Sequence, residues 1–455
     1  MVEFEFLAHA LLRRGALIIW LTSTPVNEGL SLFVAWGGLC YNASMHISHL
    51  SLINFRNYLR LELDLPRGTV LLRGDNAQGK TNLLEAIFYL ATTRSPRAQT
   101  DGQLVNWLAE KEDLPFARLD AQVWKEGASQ KIEVVLVRRL EEKGASPRWR
   151  KIIKINGVPR RVRDLVGQIK VVLFLPEDID LIADSPSQRR RYLDITLCQI
   201  DPRYYEELQR YSRLLIQRNH LLRQLRERQG SPEQLNVWDD GLVRAGTYLV
   251  VRRQEVVTRL DHFLEQVHPD LTGQQERLRL FYKANLKLDE EPGHQLPLGF
   301  DAQFSKAFRQ PQLDARRVKD AFRQQLRQVR GKEMALGMTT VGPHRDDLRF
   351  LIDGVDMTIY GSRAQQRTTA LSLKLAEAEL MRAETGEEPI VLLDDVMSEL
   401  DQARRQYLSQ LVKGEQQAIF TTTDLSDYPP QFRQRALLLE VCGGMVWRVE
   451  EEGVT

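Results

Sequence analysis

The sequence predicts an α/β fold whose chain is interrupted by an inserted pair of α-helices. Three observations support this prediction. A short apolar strand at 68–73 leads through a glycine-containing loop into a helix. A second apolar strand at 389–393 ends in two aspartates. Between them lie two long leucine-bearing helical patterns, the first over Tyr204–Gln229 and the second ending near Pro269.

Composition limits the classes of protein to which the chain can belong. It has 455 residues, of which 43% are hydrophobic and 27% charged, with a formal net charge of +2. These values are typical of a globular protein with two or three domains and exclude fibrous and disordered chains. Cys40, Cys198 and Cys442 form no CxxC pair, which excludes zinc ribbons and disulfide scaffolds and is typical of a reducing cytosol. No apolar stretch reaches about eighteen residues, which excludes a membrane-spanning helix.

Residues 1–44 differ from the rest of the chain. They contain two adjacent arginines and the apolar run Ala16–Leu21, which is too short for a typical secretory signal. Regular alternation of apolar and polar residues starts after Met45, and Ile47–Ile53 is predicted to lie in the first strand. We therefore expect Met45 to be the natural start and residues 1–44 to be a non-native extension. A genuine N-terminal extension is the alternative.

The loop after the strand at 68–73 matches the P-loop pattern G-x-x-x-x-G-K-T. Its residues are Gly74, Asp75, Asn76, Ala77, Gln78, Gly79, Lys80 and Thr81. Glycines let backbone N–H groups surround phosphates, and the N-terminus of the following helix adds positive potential. Lys80 is expected to reach the β- and γ-phosphates of ATP, and Thr81 to hold Mg²⁺. The alternative is a surface turn, but the flanking strand and helix favour ATP binding.

The second strand supplies the carboxylates that a P-loop site requires. Pro389–Leu393 is an aliphatic run typical of a parallel strand covered on both faces, and Asp394 and Asp395 follow it. Asp394 is predicted to contact Mg²⁺, and Asp395 to orient or deprotonate the attacking water. A strand that ends in a capping aspartate is the alternative. Lys80 and Asp394 are 314 positions apart, so a large insertion must divide the nucleotide-binding fold.

The predicted insertion, residues 201–330, contains the two long helical patterns. The turn signal Gly230–Pro232 separates them, so they are predicted to form an antiparallel hairpin arm. Their apolar stripe is expected to pack within the chain, and an interface with a partner is the alternative. Residues 289–314 are rich in proline, glycine and polar residues and are predicted to be a loop.

Positive charge is concentrated before the helical insertion. Residues 131–170 contain twelve Lys and Arg residues against four Asp and Glu residues. Alternation around Ile152–Ile155, followed by Asn156 and Gly157, predicts a β-hairpin with charges on one face. Such a patch suits contacts with DNA phosphates and carries no base-reading signature, while a solvated basic face is the alternative. The predicted DNA-binding residues are Arg148, Arg150, Lys151, Arg160, Arg161, Arg189 and Arg190.

Several segments after Met45 together resemble the RecF family of bacterial recombination mediators, whose head is similar to those of ABC and SMC ATPases. The matching segments are Ile47–Tyr58, Leu175–Leu181, Arg189–Asp194 and Thr340–Leu348, with Ser398–Asp401 at the place of the D-loop and Thr421–Asp424 at that of the switch residue. The resemblance implies an ABC/SMC-like P-loop ATPase head. Its N-terminal part would occupy 45–200 and its C-terminal part 331–455, with the helical arm domain at 201–330 between them.

The same resemblance identifies Ser362–Thr368 as the ABC-type signature, the loop that completes the ATP site of a partner subunit. It implies that Ser362 and Gln365 bind the partner's nucleotide, so that ATP holds two heads together. Ala364 stands where the family usually has glycine, and its methyl group could obstruct close approach of the backbone. Ser362 as an ordinary helix N-cap is the alternative. His344 is expected to be a structural hydrogen-bonding residue, and Arg345 beside it is the better candidate for a phosphate or interface contact.

The resemblance implies a function in recombinational repair and replication restart. The chain would dimerise on ATP, bind duplex DNA and single/double-strand junctions, and act with RecO- and RecR-type mediators to help load RecA. It would be a weak, DNA-stimulated cytoplasmic ATPase that uses ATP and Mg²⁺ and releases DNA on hydrolysis. The alternatives are an ABC transporter subunit, which would normally lack the hairpin and the basic segment, and a non-hydrolysing ATP-gated DNA scaffold.

Overall fold

Two six-stranded sheets and one three-stranded sheet form the framework of the described part of the chain. The computed structural model describes residues 45–109, 115–125, 127–138, 149–288, 313–411 and 416–449. The expected N-terminal extension lies outside these ranges, as do Arg148 and most of the expected loop at 289–314.

The bounds of the elements are as follows. In chain order, the strands are β1 His46–Phe55, β2 Tyr58–Asp64, β3 Thr69–Arg73, β4 Phe116–Lys125, β5 Ala128–Arg138, β6 Trp149–Ile155, β7 Val158–Arg160, β8 Val171–Phe174, β9 Leu278–Lys283, β10 Asp347–Ile352, β11 Val355–Asp356, β12 Ile390–Asp394, β13 Ala418–Thr422, β14 Leu437–Cys442 and β15 Met445–Arg448. The helices are α1 Lys80–Thr92, α2 Val162–Leu165, α3 Asp180–Ala183, α4 Pro186–Ile200, α5 Pro202–Arg226, α6 Leu235–Leu271, α7 Ala315–Leu336, α8 Met357–Tyr360, α9 Arg363–Thr385, α10 Gln402–Leu411 and α11 Pro430–Arg435.

One sheet brings the motif-bearing strands side by side. Its order is β15-β14-β3-β13-β12-β8, and every neighbouring pair is parallel except β14 with β15. Strands β12 and β13 are buried along their whole length, as their unbroken apolar runs predict. The carboxyl ends of parallel strands lie at one edge of a sheet. The P-loop after β3, Asp394 at the end of β12 and Thr421 in β13 therefore meet at that edge.

The second six-stranded sheet, in the order β2-β1-β4-β5-β6-β7, is antiparallel. Its edge hairpin β6–β7 turns at Asn156 and Gly157, whose φ angles are 51° and 78°. Two residues with positive φ are typical of a type I′ hairpin turn, so the predicted hairpin is confirmed. Leu83 of α1 belongs to the same buried core as Leu50 of β1 and Leu72 of β3, which packs the P-loop helix between the two sheets.

Helices α5 and α6 form the predicted hairpin, and their bounds confirm both helical patterns. The side chain of Asp201 caps α5 by accepting the backbone N–H of Tyr204 at 3.0 Å, and Gly230 adopts a φ of 87° in the connection. Gly246 of α6 lies so close to Phe322 of α7 that a Cβ would be 2.5 Å from the ring.

The apolar face of the hairpin is covered within the chain, as expected. Leu249 and Leu260 of α6 share a buried core with Phe322 of α7 and with Leu373 and Leu380 of α9. Within the described ranges, no helix has the length and apolar character that crossing a bilayer requires. The domain boundaries stay a prediction.

A buried arginine joins the hairpin to the rest of the fold. Arg253 of α6 is 2% exposed and donates to Asp194 of α4 at 2.8 Å and to Asp346 at 3.0 Å. Its Nη1 also donates to the carbonyl of Pro343 at 2.7 Å. Because an unpaired buried charge costs several kcal/mol, these contacts favour one relative position of α6, α4 and the segment before β10.

Candidate ATP site and basic surface

The backbone conformation of the P-loop leaves no space for a side chain at Gly79. Gly79 adopts a φ of 120°, and a Cβ there would lie 2.6 Å from the side chain of Asn57. The Lys80 ammonium donates to the carbonyls of Gly74 at 2.5 Å and Asp75 at 2.9 Å. The loop therefore curves around its own lysine, which points toward the space where the phosphates of a nucleotide would bind.

Thr81 and Asp394 meet directly, although the helical insertion separates them. Thr81 Oγ1 lies 2.8 and 2.7 Å from the two carboxylate oxygens of Asp394. Thr421 Oγ1, from the neighbouring strand β13, donates to the same carboxylate at 2.8 Å. A hydroxyl and a carboxylate are oxygen ligands of the kind that Mg²⁺ prefers, so the donor set fits this ion.

The strand ends at Asp394, and the backbone of the next residue, Asp395, adopts a left-handed conformation with a φ of 50°. Its N–H donates to Thr421 Oγ1 at 2.9 Å, and its carbonyl accepts from Ser398 Oγ at 2.8 Å, which fixes this unusual conformation. Burial raises the pKa of the Asp395 carboxyl above its ordinary value, and the negative charge of Asp394 acts in the same direction. Burial also lowers the pKa of Lys80, although the negative charges of Asp395 and Asp394 oppose this effect.

A cavity of about 270 Å³ collects the predicted residues into one site. It is lined by Asn76, Ala77, Gln78, Gly79, Lys80, Thr81, Asn82, Arg97, Pro176, Asp394, Asp395 and Thr421. Phosphate-binding backbone, a lysine and a carboxylate–hydroxyl pair therefore face one space, which is the combination that ATP with Mg²⁺ requires.

Arg97 is a residue of this site that the sequence patterns did not identify. Its guanidinium lies 3.5 Å from Asp394 and 3.0 Å from Glu177, and its backbone N–H donates to Ser95 Oγ at 3.0 Å. The nearest sequence signal was an arginine in a Ser-Pro turn soon after the P-loop helix. Such a turn has no motif of its own, and only the fold brings it to Asp394.

The turn between β14 and β15 also supports the P-loop without a sequence signal. Gly443 donates its N–H to Gln78 Oε1 at 2.7 Å, and Gly444 donates to the Gln78 carbonyl at 3.1 Å. Asn57 Nδ2 donates to that same carbonyl at 2.8 Å. Gln78 is thus fixed from two sides, which prepares the loop for a ligand.

The predicted signature lies at the exposed N-terminus of α9. Ser362 is the N-cap of this helix, and its Oγ accepts the N–H of Gln365 at 3.2 Å. The Gln365 side chain bonds back to the N–H of Ser362 and also donates to Glu276 at 2.9 Å. Ala364 is exposed in the first turn. Ser362 is therefore an N-cap, and its contact with a nucleotide of a second subunit stays a prediction.

Three of the predicted DNA-binding arginines, Arg150, Arg160 and Arg161, are exposed on or beside the β6–β7 hairpin. For Lys151 the prediction is wrong. Its ammonium donates to the carbonyl of Thr93 at 2.8 Å and lies 3.4 Å from Asp101, and burial lowers its pKa. Successive residues of a strand face opposite sides, so the hairpin does not present all of its charges on one face.

The prediction for Arg189 is also wrong. This residue is 3% exposed, and its guanidinium donates to Asp347 at 2.7 and 3.1 Å and to the carbonyl of Asp184 at 2.7 Å. It is an internal cross-link between α4 and β10 and cannot reach DNA. Arg190 is half-buried and donates to the carbonyl of Asp346 at 2.7 Å, while Arg148 lies outside the described residues.

His344 has the environment of a structural residue. Tyr211 donates to its Nδ1 at 2.7 Å, and its Nε2 donates to the carbonyl of Thr339 at 3.2 Å. Burial lowers the pKa of His344 to about 4, so the ring is neutral at ordinary pH. Arg345 is exposed beside it.

Comparison with known proteins identifies the family to which this chain belongs. The family described as the RecF/RecN/SMC N-terminal domain matches residues 46–428. The DNA replication and repair protein RecF of Herpetosiphon aurantiacus is 42% identical over 412 residues, covering 89% of this chain and 100% of that protein. The Bacillus subtilis RecF is 34% identical over 402 residues, covering 88% and 99%. A solved structure of the recombination mediator protein RecF with ATP is 30% identical, with a TM-score of 0.75, and covers 90% of this chain and 100% of that one. The chain therefore belongs to the RecF family of DNA replication and repair proteins and has its SMC-type ATPase fold.

Proposed function

We propose that the protein is an ATP-dependent DNA-binding protein of recombinational repair and replication restart, which dimerises on ATP and hydrolyses it slowly. The observation that carries this proposal is the pairing of Thr81 with Asp394 in a cavity that also contains Lys80 and Asp395. This arrangement supplies a phosphate-binding loop, ligands for a metal ion and a carboxylate near the site of water attack.

The roles of the residues follow from their positions. Lys80 would neutralise the β- and γ-phosphates, while Thr81 and Asp394 would hold Mg²⁺, whose charge stabilises the transferred phosphoryl group. Asp395 would orient the attacking water and accept its proton. The raised pKa of Asp395 makes this carboxylate a stronger base than an ordinary aspartate.

Dimerisation would complete the ATP site. Ser362 lies exposed at the N-terminus of α9, a helix of 23 residues. The free N–H groups and the dipole at such a terminus favour an anion, so Ser362 and Gln365 would contact the γ-phosphate of the partner's ATP. ATP would then join two heads, and its hydrolysis would release them.

DNA would bind through its phosphates. Arg150, Arg160 and Arg161 are exposed, and they suit sequence-independent contacts with the DNA backbone at duplexes and at single/double-strand junctions. The name of one solved relative places it in the RecFOR pathway. We extend this to the present chain, with RecO- and RecR-type mediators as partners, RecA loading as the indirect result and the cytoplasm as the location.

The proposal is tested by fluorescence anisotropy with labelled duplex, gapped and single-stranded DNA, each with ATP and Mg²⁺, with ADP and without nucleotide. We expect tight binding of the duplex and the gapped substrate only with ATP, and a doubled molecular mass in the same conditions. Lys80→Ala, which removes the ammonium of the P-loop, is the control that should abolish both ATP effects. Absence of any ATP dependence would contradict the proposal. ATP-dependent binding without phosphate release would favour the non-hydrolysing scaffold.

A further inference from the structure

The loop between α1 and the segment at 101–104 borders a second cavity, of about 160 Å³, whose lining is distinct from that of the ATP site. The cavity lies between this loop and α4, and Arg94, Ser95, Gln99, Thr100 and Arg191 are among its lining residues. All five carry polar side chains, and Arg94, Gln99 and Thr100 are exposed to solvent. The cavity is therefore open to a polar ligand from outside.

The loop that forms this cavity is held firmly. Ser95 Oγ donates to the buried carboxylate of Glu85 and accepts the N–H of Ala98 at 2.6 Å. The carbonyl of Ser95 accepts from Arg191 Nη2 at 2.5 Å. These bonds fix the turn and place one edge of the Arg191 guanidinium at the cavity wall, so little ordering is required when a ligand binds.

Neither arginine of the cavity, Arg94 or Arg191, has a carboxylate counter-ion within the described part of the chain. The one acidic residue of the lining, Asp101, accepts from Tyr89 Oη at 2.7 Å and faces the Lys151 ammonium at 3.4 Å. Burial lowers the pKa of Arg191, and the positive charge of Arg94 lowers it further. Two guanidinium groups that repel each other are stabilised when an anion binds between them.

From this geometry we infer that Arg94 and Arg191 form a binding site for a phosphate of the DNA backbone, with Gln99 and Thr100 as neutral hydrogen-bonding partners. The inference rests on the proposed DNA-binding function. Guanidinium groups match phosphate oxygens bidentately, and neutral side chains commonly complete such contacts. The proposed ATP site is the separate cavity that contains Lys80. An anion bound between Arg94 and Arg191 would therefore be a different ligand from ATP. The loop is also held to β6, because the ammonium of Lys151 donates to the carbonyl of Thr93 in this loop.

The test measures the affinity for a fluorescein-labelled duplex over a series of salt concentrations, with full-length protein, ATP and Mg²⁺. Each lost phosphate contact lowers the slope of log affinity against log salt by about one. We expect Arg94→Gln to lower the slope by about one and to weaken binding several-fold, and Arg94→Glu to weaken it more. Arg435→Gln, which removes another exposed arginine, on α11, is the matched control. Because Arg191 also supports the loop, Arg191→Gln is interpreted only if its melting temperature equals that of the wild type.

The outcomes separate this inference from the proposed function. Unchanged affinity and slope in Arg94→Gln, with ATP-dependent DNA binding by the wild type, would overturn the inference and leave the proposed function standing. Loss of inorganic-phosphate binding in Arg94→Gln without any change toward DNA would assign the cavity to a free anion and would also overturn it. Absence of ATP-dependent DNA binding by the wild type would defeat both.

Discussion

Thr81 Oγ1 lies 2.8 and 2.7 Å from the two carboxylate oxygens of Asp394, although 313 positions separate these residues in the chain. The contact forms because β3, β13 and β12 are neighbours in one parallel sheet, so the loops at their carboxyl ends converge. Each half of the site lies on its own strand, and the helical insertion connects the halves without entering the cavity. The catalytic chemistry therefore depends on how the two parts of the chain pair.

Replacement of Asp394 tests the metal-binding role. We expect Asp394→Asn to reduce ATP hydrolysis about 100-fold or more, because the amide loses the charge that holds a divalent cation, which contributes several kcal/mol. Release of inorganic phosphate measures the rate. Asp353→Asn is the control, since this residue of the β10–β11 turn has a φ of 48°, which asparagine tolerates. Hydrolysis at the wild-type rate in Asp394→Asn would exclude this carboxylate from the site.

Replacement of Lys80 separates binding from hydrolysis. The Lys80 ammonium donates to the carbonyls of Gly74 and Asp75 within the loop, and a planar guanidinium cannot reproduce this compact geometry. We expect Lys80→Arg to retain part of the affinity for a fluorescent ATP analogue and to lose hydrolysis. Lys332→Arg, on the exposed surface of α7, should behave as the wild type. Normal turnover by Lys80→Arg would refute the assignment of the site.

Replacement of Arg189 and of Arg160 by alanine should have opposite effects on stability and on DNA binding. Arg189→Ala removes the buried partner of Asp347, and breaking such a pair should lower the free energy of unfolding by about 3 kcal/mol. Arg160→Ala removes an exposed charge, so the melting temperature should stay unchanged while the salt dependence of DNA binding falls by about one. Thermal melting and anisotropy measure the two effects. An Arg189→Ala variant as stable as the wild type would show that the pair is dispensable.

The sequence around Arg189 contains the reason why this arginine is buried and not exposed to DNA. On α4, Arg189 shares a helical face with Tyr192, Leu193 and Thr196, all of which are buried. Arg189, Arg190 and Arg191 are consecutive residues of a helix, so their side chains point in different directions. The number of arginines in this segment therefore overestimates the positive charge that is exposed to solvent. The same argument applies to Lys151, which shares a strand face with the buried Ile153.

The P-loop and its carboxylates could be predicted because each motif combines a local strand with a residue pattern. The lengths and turn residues of α5 and α6 were predictable for the same reason. Arg97 could not be predicted in this way. Its role depends on a 3.5 Å approach to Asp394 that arises only when β8 and the loop after α1 pack beside β12. No local pattern carries such long-range information.

Histidine titration predicts how stability depends on pH. Burial lowers the pKa of His344 to about 4, below the value of about 6.5 in an unfolded chain. The unfolded state therefore binds a proton first as the pH falls, and the stabilising contribution, complete above about pH 6.5, is lost progressively toward pH 4. At pH 5 the loss should be about 2 kcal/mol.

Comparison with His344→Gln isolates this contribution. The decrease in melting temperature from pH 7 to pH 5 should be smaller in His344→Gln than in the wild type, whatever the absolute stability of the variant. Other acid-sensitive groups, including the buried His268, are present in both proteins and cancel. Equal decreases in the two proteins would show that His344 titrates normally in the folded state.

The central claim, that Ser362 completes the ATP site of a second subunit, is tested most directly by mixing two inactive variants. Lys80→Arg disables the P-loop, and Ser362→Arg blocks the signature, so each variant alone should release no phosphate. In an equimolar mixture, half of the random dimers combine the two variants, and each mixed dimer has one site with both parts intact. We expect the mixture to recover roughly a quarter of the wild-type hydrolysis rate. A mixture as inactive as its components would contradict it.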